Sequence, residues 1–223
     1  MQSVTQLPLQ VVCSKNSSDV PAWRNRACAG IDEVGIGPLA GPVVAAAVLL
    51  DPDDPIDHLT DSKKLSEKKR EVLAEQIKQR AIAWGVGWAS EQEVDAVNVL
   101  AASHLAMQRA CKALPQVPAS AYVDGNKTPQ LGIPCVAVVK GDQLIPQVSA
   151  ASIIAKVTRD AHMFKLDERY PGYGFARHKG YPTKMHLAAL AKLGVTPVHR
   201  RSYAPVQAIL SSDVTDAQGE RWE

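Results

Sequence analysis

Asp32 and Glu33 stand side by side in ACAGIDEVGIGPLAGPV, directly after the uncharged run Ala27-Cys28-Ala29-Gly30-Ile31. Asp124 ends a second apolar run in AYVDGNK, and Asp142 follows a third in VAVVKGDQ. Each acid falls where hydrophobic residues give way to a glycine-bearing turn. Strand ends in an α/β sheet are rigid and project side chains into a shared crevice. Carboxylates gathered there repel one another and stay ionised only beside counter-charge. A hard divalent cation with a preference for oxygen ligands, Mg²⁺ or Mn²⁺, supplies that charge. Acids around two such ions point to phosphodiester chemistry. A lone Asp at a strand end is usually a turn former, and most of the 23 acids are expected at the surface. The uncharged approach to Asp32 and Glu33 separates that pair from an ordinary charged face.

Other segments could serve the same chemistry. Gly35-Ile36-Gly37 follows the acid pair, and glycines there let backbone amides approach phosphate or hydroxyl oxygens. Alone, such a triplet is only a tight turn. Asp61-Ser62-Lys63-Lys64 places two lysines before a helix start, where anions are attracted; a solvated, capped helix start has the same pattern. Arg177-His178-Lys179-Gly180-Tyr181 mixes bases with an aromatic able to stack on a sugar or base, or to pack within a loop. His199-Arg200-Arg201-Ser202 adds basic charge or forms a solvated turn. Lys156 and Arg159 either hold acids in place or face water.

The elements that must carry these residues follow from periodicity. Residues 27–34 and 42–50 read as strands, the second closed by DPDDP. Ser66 reads as an N-cap, with a helix to about Ala81. Residues 83–88 read as a third strand weakened by its glycines. Ser90 and Glu93 resemble a capping box, and a helix over about 98–114 follows. Residues 120–123 and 135–139 read as two short strands. Residues 148–169 read as a long helix, and another helix follows Pro182. Strands come early and helices late, so an α/β sheet with a helical C-terminal extension is expected. Residues 1–25 are expected to be a loosely ordered lead-in, and 212–223 a polar, frayed tail.

A chain of 223 residues, 46% hydrophobic, suits one large domain with or without an appendage. Its net charge of +2 excludes a strongly basic nucleic-acid coat, so contacts to nucleic acid must come from local clusters. The four cysteines show no zinc spacing, which suggests a reducing, cytoplasmic setting. No signal peptide or membrane span is expected.

Together, IDEVGIGPLAGPVVAAAV, TDSKKLSEKKR, YVDGNK, VVKGD, VSAASIIAKVTRD, YGFARHKGYPT and HRRSY closely resemble bacterial ribonuclease HII, in family order, over roughly residues 27–205. The resemblance implies a mixed ribonuclease H-like sheet flanked by helices, with a catalytic core over 26–170 and a helical extension over 171–211. It implies cleavage of the RNA strand of RNA–DNA hybrids, and of duplex DNA at single embedded ribonucleotides, leaving 5′-phosphate and 3′-hydroxyl ends. It implies Asp32, Glu33, Asp124 and Asp142 as catalytic metal ligands for Mg²⁺ or Mn²⁺. Tyr181 would pack on the ribose and Lys63 would touch phosphate; Gly35, Ile36, Gly37 and Lys179 complete the expected substrate contacts. A monomer acting in ribonucleotide excision repair is expected.

One departure stands out. The family pattern at the turn is Gly-Arg-Gly or Gly-Lys-Gly, and here it is Gly35-Ile36-Gly37. Backbone donors survive this change and the cation does not. Two rival readings are a non-catalytic hybrid-binding protein and a phosphatase of small phosphoesters. Four acids beside phosphates gain a pure binder nothing, and the spread of Lys63, Lys64, Lys179 and Arg200 suits a long polyanion.

Overall fold

The structure is a computed structural model that describes residues 26–218, with side chains as far as Ser211. The expected lead-in over 1–25 and the last residues of the expected tail, 219–223, lie outside the described residues. In chain order the elements are β1 (Cys28–Val34), β2 (Val43–Leu49), a one-turn 3₁₀ helix (Ser62–Lys64), α1 (Glu67–Arg80), β3 (Ala83–Ala89), α2 (Glu91–Val97) and α3 (Val99–Lys112). Then come β4 (Ser120–Asp124), β5 (Cys135–Val138), α4 (Gly141–Leu144), α5 (Pro146–Arg169), α6 (Phe175–His178), α7 (Lys184–Leu193) and α8 (Ala204–Gln218).

The sheet runs β3-β2-β1-β4-β5. The first three strands pair antiparallel, and β1–β4 and β4–β5 pair parallel. This is the mixed sheet expected, flanked by helices on both faces. Strand alternation explains the two layers. In β2, Val43, Ala45, Ala47 and Leu49 join the cluster under α3, while Ala46 and Val48 join the one under α1 and α5. Ile153 and Ile154 of α5 are fully buried in that second cluster, each worth about 1.5–3 kcal/mol.

Parallel pairing sets the site. Ile31 of β1 lies opposite Val123 of β4, so the next step in that register brings Asp32 beside Asp124. Ile31 and Val123 face the α3 cluster, so both aspartates turn to the opposite face, that of α5. The start of α5 rests on β1 at Gly30, where a Cβ would come within 2.1 Å of the Gln147 carbonyl carbon.

Helix signals mostly act as expected. Ser66 caps α1, and Ser90 with Glu93 forms a full capping box. That box opens a short separate helix, α2, which Asn98 at φ 70° ends while capping α3. α8 continues to Gln218, past the boundary at 211 drawn for a frayed tail. Among the described residues no helix is long and apolar enough to cross a membrane.

Candidate active site

Asp32 and Asp142 are buried, and Glu33 and Asp124 are partly exposed. Asp32 accepts a hydrogen bond from the Glu33 amide at 2.7 Å. Asp142 sits in the first turn of α4, and its amide donates to Asp124 Oδ1 at 3.4 Å. The turn from β5 into α4 passes through Lys140 at φ 60°. The four acids predicted from strand ends therefore form one neighbourhood.

Electrostatics register the crowding. Burial, then the charges of Glu33 and Asp124, hold the Asp32 carboxyl well above the usual carboxylate range. Burial, then Asp124, raises Glu33 to about 7, against a smaller opposing effect of Lys63. Burial, then Asp124, then Asp61 raises Asp142, again opposed by Lys63. All the crowded donors are carboxylate oxygens. A hard divalent cation relieves both the repulsion and the desolvation, so these residues fit such an ion. Among the described residues, no three His, Cys, Asp or Glu side chains already stand in a ligating arrangement. Holding an ion would thus require these carboxylates to turn toward it.

The 3₁₀ helix presents Lys63 to the acids. Asp61 caps it by accepting from the Lys63 amide at 2.9 Å, and Arg70 of α1 donates to the carbonyls of Ser62 and Leu65. The Ser152 hydroxyl of α5 acts against burial and repulsion, favouring the ionised form of Asp32. Its oxygen lies 3.0 Å from Ser62 Oγ. Sequence reading missed Asp61, Ser62 and Ser152. Asp61 and Ser62 stand in view beside the lysines, and Ser152 among the small residues at the start of the long helix, without being tied to the acids.

The glycine turn is exposed at Ile36 and Gly37. Gly35 has φ 99°, and a Cβ there would meet Arg159 Nε at 2.5 Å. The Tyr181 ring lies against Gly37, about one van der Waals contact from where a Cβ would stand. Behind this turn sit two arginines that a solvated reading misplaces. Arg159 and Arg200 are fully buried. Arg159 donates to the carbonyls of Pro42, Ala40 and Lys179. Arg200 donates to those of Gly35, Ile36 and Gly41.

Lys179 and Lys156 lie among other partners than the four acids. The Lys179 ammonium lies 3.5 Å from the centre of the Phe164 ring and donates to the Ala176 carbonyl. Its charged neighbours are Asp160, Glu67, Lys156 and Asp167, none of the four acids. Lys156 pairs with Asp160 at 2.8 Å rather than with the cluster.

Tyr181 is anchored by buried histidines. His186 Nδ1 lies 3.0 Å from the Tyr181 carbonyl, and its Nε2 lies 3.2 Å from His199 Nε2. His199 Nδ1 accepts from the Thr196 amide. The tautomers follow: His199 donates to His186, and His186 donates to Tyr181. Burial holds both rings down to about 4, so they are neutral near pH 7.

A family model described as Ribonuclease HII matches residues 29–206. Among solved structures, ribonuclease H2 from Pyrococcus horikoshii OT3 is 28% identical with a TM-score of 0.70, covering 83% of this chain and 97% of its own. The PCNA:RNase HII complex from Archaeoglobus fulgidus matches at 30% identity and a TM-score of 0.64, over 78% of this chain and 91% of that one. Bst-RNase HIII in complex with Mn²⁺, 18% identical with a TM-score of 0.59 over 89% of this chain and 76% of that one, shares the fold.

Proposed function

The chain belongs to the ribonuclease HII family, and from that premise we propose a divalent-metal-dependent endonuclease acting on RNA joined to or paired with DNA. Its substrates are the RNA strand of RNA–DNA hybrids and single ribonucleotides embedded in duplex DNA, and its products carry 5′-phosphate and 3′-hydroxyl ends. The observation that carries this reading is one juxtaposition. Four crowded carboxylates, two late in β1, one at the end of β4 and one in the first turn of α4, lie next to an exposed glycine turn with a tyrosine ring against it. An acid cluster suits metal-assisted hydrolysis, and the turn with its ring suits a ribose.

Asp32, Glu33, Asp124 and Asp142 would hold the ions, which we take to be two Mg²⁺ or Mn²⁺. The Mn²⁺ complex of Bst-RNase HIII supports a divalent metal. Such ions, when bound, activate water and stabilise the departing 3′-oxygen. The protein's own residues do the rest. Ser152, with Ser62 at 3.0 Å behind it, favours the ionised form of Asp32. Lys63, beside Glu33 and Asp142, brings positive charge to the phosphate. The amides of Ile36 and Gly37 meet the 2′-hydroxyl, and the Tyr181 ring packs on its sugar. Phosphate contacts elsewhere fix register without reading sequence.

We further read the protein as monomeric, cytoplasmic, of the bacterial branch of the family, and engaged in removing ribonucleotides from DNA. The test is a duplex bearing one ribonucleotide, an all-DNA control, and Mg²⁺ or Mn²⁺, with product ends mapped. Cleavage at the ribonucleotide alone, with ligatable 5′-phosphate and 3′-hydroxyl ends, is expected. Cutting of both duplexes, or of neither, sinks the proposal.

A further inference from the structure

The Gly35–Gly37 turn is held from behind by one buried guanidinium and one hydroxyl. Arg200 Nη2 donates to the Gly35 carbonyl at 2.6 Å, and Nη1 to the Ile36 carbonyl at 3.0 Å. The Tyr203 hydroxyl donates to that same Ile36 carbonyl at 2.7 Å and accepts from Arg200 Nη1 at 3.0 Å. Arg200, Tyr203 and the Ile36 carbonyl thus close a triangle. Nε and Nη2 of Arg200 also reach the Gly41 carbonyl, tying the far end of the loop to the same group.

Peptide planarity converts this into a direction. No peptide bond here is cis among the described residues. In a trans unit the C=O and the following N–H point opposite ways. The carbonyl of Gly35 points inward to Arg200, so the amide of Ile36 points away from it. The carbonyl of Ile36 points inward to Arg200 and Tyr203, so the amide of Gly37 also points away. Among the described residues neither amide donates a hydrogen bond to the protein. Both residues are exposed, and Tyr181 flanks Gly37.

We propose that Arg200 and Tyr203 are positioning residues for ribose recognition: they lock two carbonyls inward so that the amides of Ile36 and Gly37 face the groove as preset donors to a 2′-hydroxyl. The inference rests on the ribonucleotide reading above and names what makes its recognition element rigid. A preset donor pair spends no free energy on ordering when the sugar arrives. The device also accounts for how the turn keeps its shape without a cation at position 36. Its order comes from a buried arginine on the other side of the backbone.

The experiment measures binding in EDTA, so the carboxylate cluster and its ions stay out of it. The quantity is the ratio of affinities for a duplex with one ribonucleotide and for the same duplex in all-DNA form. Tyr203→Phe keeps the ring and removes the hydroxyl. It is expected to lower the ratio about three- to tenfold, the effect of one hydrogen bond, with all-DNA affinity held within about twofold. Arg200→Lys keeps a charge but cannot reach three carbonyls at once, and should bring the ratio close to one. A merely structural role would weaken both duplexes together or only lower Tm. A Tyr203→Phe ratio equal to that of the wild type overturns the inference, and does so even if Arg200→Lys fails to fold. A wild-type ratio of one overturns the ribonucleotide reading and this inference with it; a wild-type preference that survives Tyr203→Phe overturns the inference alone.

Discussion

Replacing Glu33 by Gln should stabilise the metal-free protein at alkaline pH while removing its activity. The ordinary glutamate value is 4.5, and burial with the nearby Asp124 charge raises Glu33 to about 7. The folded state therefore binds more protons than the unfolded state between those values. Stability contributed by the neutral carboxyl is complete below about pH 4.5, falls as pH rises, and is gone above about pH 7. At about 1.4 kcal/mol per pKa unit, the rise bounds the cost of ionising Glu33 near 3 kcal/mol. Asp124 and Asp32 share the repulsion, so one substitution relieves part of it, and about 1–2 kcal/mol is expected. In a domain of this size that is a Tm increase of roughly 2–8 °C at pH 8. His186 and His199 act in the opposite sense. Their folded values of about 4 lie below 6.5, so their contribution is lost as pH falls from 6.5 toward 4. Both proteins carry those histidines, so the difference between them isolates the carboxylate. The assay is Tm against pH for wild type and Glu33→Gln in EDTA, then with Mn²⁺. The difference should be small at pH 4.5, grow to pH 7 and level off, and Mn²⁺ should shrink it by stabilising the wild type more. A Glu33→Gln protein no more stable at pH 8 than the wild type would refute the electrostatic account of this cluster.

Three further outcomes are expected. Asp142→Asn should lower cleavage by on the order of a hundredfold or more while circular dichroism and duplex affinity stay intact, since an anionic ligand is lost and repulsion toward phosphate is relieved; near-normal turnover at saturating Mg²⁺ would remove Asp142 from the site. Tyr181→Ala should reduce the single-turnover rate at an embedded ribonucleotide more than it reduces duplex affinity, because one stacking contact worth about 1–3 kcal/mol orients a sugar while phosphate contacts hold the duplex; equal losses would argue against orientation. Ile36→Arg should steepen the log–log salt dependence of duplex binding by about one unit with Tm unchanged, because the Ile36 side chain is already exposed and only its carbonyl is tied down; an unchanged slope with a lowered Tm would make position 36 structural.

The strands and their acids were legible for a physical reason. Apolar runs that stop at Asp32 and Asp124 mark the C-terminal parts of two strands, though β1 runs on to Val34 with Asp32 still buried, and in parallel neighbours the two stops coincide. The capping box at Ser90 and Glu93 was legible because its chemistry is local. The supports of the site were not, because their partners lie far along the chain. Arg159 reads as a residue that either holds acids in place or faces water, yet it satisfies three carbonyls and is wholly buried. Arg200 reads as part of a basic turn, yet its bonds reach back more than 150 residues. Such side-chain-to-carbonyl bonds leave no periodicity. Lys179 was likewise not legible: its sequence place beside Tyr181 suggests a shared role, while the structure gives it a φ of 51° and sets its ammonium over the Phe164 ring.

The central claim is that the carboxylates around Asp124 perform metal-dependent cleavage at ribonucleotides. Asp124 presses on Asp32, Glu33 and Asp142 alike, so it is the residue to remove. The measurement is the single-turnover cleavage rate of a duplex with one ribonucleotide, for wild type and Asp124→Asn, at saturating Mn²⁺. Rapid wild-type cleavage at the ribonucleotide, and none above background for a folded Asp124→Asn, is the predicted result. Comparable rates for the two proteins would contradict the account.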